Sequence, residues 1–184
     1  TSNCAGMSIT PVAKPAADVE LQISGALDKS CVAYSSVPFA VDAAVLAFTL
    51  TDVTNVNLSA DAIEKIWSGK ITTWNDPELV KLNPSFSLPN TPVTFGTELS
   101  SSEAKPLTDW LARLAGHPIS LAGGNAKSST PTEGSIILTS YSNAANLSLP
   151  MVGISATAGK DGVVPEVGSI ISGASMYSAK DVNG

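Results

Sequence analysis

The chain has 184 residues, of which 43% are hydrophobic and 14% charged, with a formal net charge of -6. Such a length and hydrophobic share support one well-buried core or two small lobes, and exclude a disordered tail or a coiled coil. The acidic balance and the lack of any basic run exclude nucleic-acid binding, which draws most of its affinity from Lys and Arg on phosphates, and no apolar run reaches the roughly 20 residues of a membrane-spanning helix.

Taken in chain order, the first feature is the cysteine pair. Cys4 and Cys31 stand in a chain with few lysines and many Ser, Thr and Asn, and read as one disulfide of a secreted protein. Two buried thiols in a reducing compartment are the alternative. Neither end reads as a signal peptide, so a processed or excised domain is expected.

The run from Val37 to Leu50, interrupted only by Pro38 and Asp42, predicts a buried strand entering a core sheet. Ser59 then predicts a helix cap, with Asp61 against the positive end of the dipole. Ile63, Ile66 and Trp67 recur at helical spacing, and Gly69 supplies a left-handed stop. Asp76-Pro77 predicts a second helix start, because proline at the first helical position gives up no hydrogen bond. Leu79 and Leu82 face inward, Asn83-Pro84 ends the helix, and Trp74 packs the joint between the two helices.

PVTFGT, residues 92 to 97, alternates as a strand. Ser100 to Ser102 lead into a third helix with the period Leu107, Trp110, Leu111, Leu114 and a stop at Gly116, with Pro106 near its first turn or bending it. Residues 123 to 134 read as loop, and 135 to 141 and 150 to 155 as two further strands. Strands alternating with helices make an α/β domain.

The run LSADAIEKIWSGKITTWNDPELVKLNP, residues 58 to 84, followed by LPNTPVTF, resembles the phosphate-binding proteins of bacterial phosphate ABC transporters. These have the periplasmic binding protein type II fold, and the "GKI-x-x-WNDP" turn between helices belongs to their second lobe. The likeness continues through TDWL at 108 to 111, GSI at 134 to 136, SYSNAANLSLP at 140 to 150 and AGKDGVVPEVGSI at 158 to 170, and reaches back to GMSITP at 6 to 11. The resemblance implies one domain over residues 1–184, a type II lobe with a mixed central sheet flanked by helices. Its second-lobe core is expected at 36–155, with 1–35 and 156–184 as hinge and first-lobe remnant. Most of the first lobe is expected to lie outside this chain, and the loop between Gly124 and Gly134 is shorter than in the family.

The resemblance also locates where a ligand would be gripped, and there the residues depart from the family. Its "R-S-D-G-S-G-T-T" segment aligns with TELSSSEA, residues 97 to 104. Thr97 takes the place of the arginine and Leu99 that of the aspartate, only Ser101 clearly survives, and Glu103 adds negative charge at a helix start. In the first-lobe turn, Ser8 is kept while Ile9 replaces an aspartate. The candidate ligand residues are therefore Ser8, Thr10, Thr97, Ser100, Ser101 and Ser102, acting through hydroxyls and backbone amides, a set that suits a neutral polar ligand better than a dianion. Losing one charged partner costs about 2 to 5 kcal/mol, so high-affinity phosphate binding is expected to be lost.

Enzymatic readings fare worse. Ser102-x-x-Lys105, Tyr141-Ser142-Asn143 and Lys160-Asp161-Gly162 imitate the motif order of penicillin-recognising serine enzymes, but the third motif is imperfect and Pro106 directly follows the lysine. His117, the only histidine, has no cluster with which to form a metal site, and is expected to cap carbonyls or face solvent. Neither an enzyme nor a cofactor is expected. The expected function is a surface interaction or adhesion module of an exported or cell-surface protein, meeting a protein partner or the remaining segments of a larger surface protein. The alternative is the solute-binding component of an ABC-type uptake system, taking phosphate or another small polar ligand.

Overall fold

The computed structural model describes residues 33–36, 41–121, 130–156, 162–174 and 180–183. The chain divides into two compact units, residues 1–41 with 171–184, and residues 42–170. In the first unit β1 (Ala33–Ser36) pairs antiparallel with β7 (Lys180–Asn183), Ala33 opposite Asn183 and Ser36 opposite Lys180. Cys4 and Cys31 lie outside the described residues, as do Ser8 and Thr10.

The second unit is built on β2 (Ala44–Phe48), β5 (Ser135–Ser140) and β4 (Thr94–Thr97), in the order β2-β5-β4. β5 runs antiparallel to β2 and parallel to β4, so the sheet is mixed. A bridge from Ala47 to Met151 leads from β2 toward a parallel pair, β3 (Asn57–Ser59) and β6 (Gly153–Ser155). The predicted buried strand is thus shorter than the apolar run that announced it.

The helices begin and end where side chains satisfy their terminal groups. In α1 (Ala60–Trp67) the Ser59 hydroxyl accepts from the Ala62 amide at 3.1 Å, and Gly69 follows at φ 74°. In α2 (Pro77–Leu82) the Asp76 carboxylate accepts from the Glu78 amide at 2.9 Å, with Pro77 in the first turn. In α3 (Ser101–Ala115) Ser100 and Glu103 form a capping box, and Gly116 closes the helix at φ 76°. Pro106 stands inside α3 without ending it. A fourth helix, α4 (Tyr141–Asn146), and a fifth, α5 (Val167–Ala174), complete the described elements.

Alternation along β2 divides the core between two faces. Leu46 and Phe48 join Leu58, Ile63, Ile66, Trp67, Trp74, Leu79, Phe95, Leu107, Leu111, Ile136 and Leu138 in the main core, while Val45 and Ala47 pack with Ala144 on the other face. Trp67 meets Phe95 edge-on, with ring centroids 4.4 Å apart, a favoured aromatic geometry. The α2 end is held by Asn83, which is 2% exposed. Its amide nitrogen donates to the carbonyls of Asn57 and Leu79, both at 2.9 Å, and its oxygen accepts from the Asn57 amide at 2.7 Å. A buried amide so paired ties α2 to β3, because its internal hydrogen bonds offset the cost of taking it out of water.

Trp74 packs the joint between α1 and α2, as expected, and does more. It is fully buried, leans on Phe48 at a centroid distance of 6.1 Å, and its indole N–H donates to the Gly134 carbonyl at 2.9 Å. Gly134 is the residue before β5 and has φ 82°, and a Cβ there would lie 2.3 Å from the Pro92 carbonyl oxygen. Only glycine fits this crossing point. His117 faces solvent beyond α3, with Nε2 3.5 Å from Asp61 and 3.8 Å from Glu64 of α1.

Replacing Trp74 by Ala removes a fully buried indole together with its hydrogen bond, and is expected to destabilise the protein by about 3 to 5 kcal/mol in urea unfolding. For His117, the contact with the Pro118 carbonyl comes first and the carboxylates of Glu64 and Asp61 follow, and together they hold the imidazole above its ordinary value. Its contribution is therefore complete below the unfolded-state value and is lost as pH rises through the raised folded-state value. The melting-temperature deficit of His117→Ala should be largest below about pH 6 and close as pH increases.

Candidate functional site

In an open α/β sheet, ligands gather at the carboxyl ends of parallel strands, where helix N-termini converge. β4 and β5 are the parallel neighbours here, with Thr97 opposite Leu138 in the register. Their carboxyl ends lead to Ser100 at the start of α3 and Ser140 at the start of α4. β2 begins at the same edge, two residues after Asp42. The edge therefore brings together residues 42–43, 97–103 and 139–143.

The two helix starts are not equivalent. At α4 the Tyr141 amide donates to the Ala43 carbonyl at 2.8 Å, the Ser142 amide to Asp42 at 3.2 Å and the Asn143 amide to the Ser140 hydroxyl at 3.2 Å. Its first turn is closed by the protein's own acceptors. At α3 the Glu103 amide reaches the Ser100 hydroxyl at 3.4 Å, and the Glu103 carboxylate accepts from the Ser100 amide at 2.8 Å and hydroxyl at 2.5 Å. The amides of Ser101 and Ser102 remain without an internal acceptor among the described residues, which leaves α3 as the open end.

Of the predicted ligand residues, Ser100, Ser101 and Ser102 share the first turn of α3, and the hydroxyls of Ser100 and Ser102 lie 3.0 Å apart. Thr97 closes β4 with its hydroxyl turned onto its own loop, donating to the Leu99 carbonyl and accepting from the Leu99 amide, both at 3.1 Å. Lys105 holds Asp109 at 2.8 Å through both carboxylate oxygens, one turn away on the exposed face of α3. The serine-lysine pairing of the penicillin-type motif is absent, because Lys105 has turned to Asp109.

Sequence reasoning passed over the carboxylates that organise this edge. Glu98 accepts from the Thr139 hydroxyl at 2.6 Å and from the Asn143 amide nitrogen at 2.7 Å, fastening the β4–α3 loop to β5 and α4. Asp42 accepts from the Ala43 amide at 2.8 Å, and its second oxygen takes the Ser142 hydroxyl. Partial burial pushes the Asp42 carboxyl up, but the bonds from the Ser142 hydroxyl, the amides of Ala43 and Ser142 and the Ser140 hydroxyl outweigh it and hold it below its ordinary value. Glu103 is held low by the Ser100 hydroxyl and then the Ser100 amide. The available signal was the position of Asp42 and Glu98 at strand ends, but their partners lie 100 and 41 to 45 residues away.

A family model described as a PBP superfamily domain matches residues 13–183. Two curated relatives, the phosphate-binding protein PstS2 of Mycobacterium bovis and the phosphate-binding protein PstS 2 of Mycobacterium tuberculosis, are each 30% identical, over 71% of this chain and 41% of their own length. This chain thus spans about two-fifths of the curated relatives it matches. Among solved structures, a putative phosphate ABC transporter substrate-binding protein from Clostridium perfringens, with bound phosphate, is similar at a TM-score of 0.49 and 16% identity, covering 86% of this chain and 61% of that one. A possible phosphate binding protein from Planctomyces limnophilus is similar at a TM-score of 0.48 and 16% identity, covering 81% of this chain and 54% of that one.

A depressed carboxyl contributes stability that is present above its unfolded-state value and is lost as pH falls through the folded-state value. Asp42→Asn should therefore unfold more easily than the wild type at neutral pH and lack part of its acid-induced loss. Urea unfolding between about pH 6 and about pH 3 should show the two curves converging on the acid side.

Proposed function

Because the chain belongs to the PBP superfamily, we propose that it is the ligand-recognising part of a solute-binding component of an ABC-type uptake system, exported to the cell surface. It takes a small polar solute at the edge where β4 and β5 end. The superfamily match over residues 13–183 carries this reading, and the open first turn of α3, with two amides and the hydroxyl of Ser101, supplies groups that could hold a solute. Phosphate is the first solute to test, because both curated relatives are named for binding it.

The Thr97 hydroxyl folded onto Leu99 and the Glu103 carboxylate folded onto Ser100 favour a second reading. In it the lobe has lost high-affinity phosphate binding and serves as a surface interaction module, with a protein partner in place of a solute. The two readings part in a thermal-shift panel of phosphate, sulfate, other oxyanions, amines and polyols. A true ligand at a hundred times its dissociation constant adds about 2.7 kcal/mol, and so raises the melting temperature by roughly 5 to 10 °C for a domain of this size. Solute binding predicts such a rise for at least one compound; a flat panel leaves the interaction module as the account of the chain.

A further inference from the structure

We draw no further inference here: the strongest candidate, the exposed apolar surface that Val163 and Val164 form with Val167 and Ile171 of α5, carries nothing because nothing in the structure shows what covers it.

Discussion

The lobe depends on one hydrogen bond made in its interior, from the Trp74 indole to the Gly134 carbonyl. The tryptophan belongs to the joint between α1 and α2, and the glycine opens β5, the strand between β2 and β4 in the sheet. Once that bond forms, the joint has a fixed depth and β5 a fixed starting point. Register then carries the consequence to the far end of the strand, where Leu138 stands beside Thr97 and the next residue, Thr139, meets Glu98. A packing contact at one end of the sheet thereby sets which side chains meet at the other.

The local parts of this arrangement were legible. Ser59, Asp76-Pro77 and Ser100 announce helices through the amides they cap, and Gly69 and Gly116 end them through the positive φ that glycine adopts freely. Trp67 and Trp74 read correctly as core because an apolar period or a rigid turn surrounds each. The helix α4 was not legible. YSNAAN buries only Ala144 and shows no apolar stripe; Ser140 caps the Asn143 amide locally, but the amides of Tyr141 and Ser142 are closed by Ala43 and Asp42, residues far back in the chain. β3 is three residues long and too short for a period to show.

The candidate site was half legible for the same reason. Ser100 to Ser102 could be placed at a helix start from the sequence alone, since a cap is a local interaction. Glu103 could be seen as a negative charge, but its return to Ser100 as a capping-box partner changes its meaning. It stabilises the helix while charging the approach to the free amides. Glu98 and Asp42 carry even less local signal, because their donors lie on β5 and α4 and become neighbours only when the parallel and antiparallel pairings are in place. Stability at this edge is thus tied to strand pairing: Asp42 and Glu98 hold the loops only where the sheet brings their donors to them.

The central claim is that the carboxyl-terminal edge of β4 and β5 receives the solute. Amide chemical-shift mapping on isotope-labelled protein, titrated with the compounds of the thermal-shift panel, tests it most directly. The account predicts saturable shifts confined to Glu98, Ser101, Ser102 and residues 139–143, with the opposite end at Thr51, Val93 and Gly134 unmoved. Saturable shifts centred on that opposite end, with the α3 start silent, would contradict it.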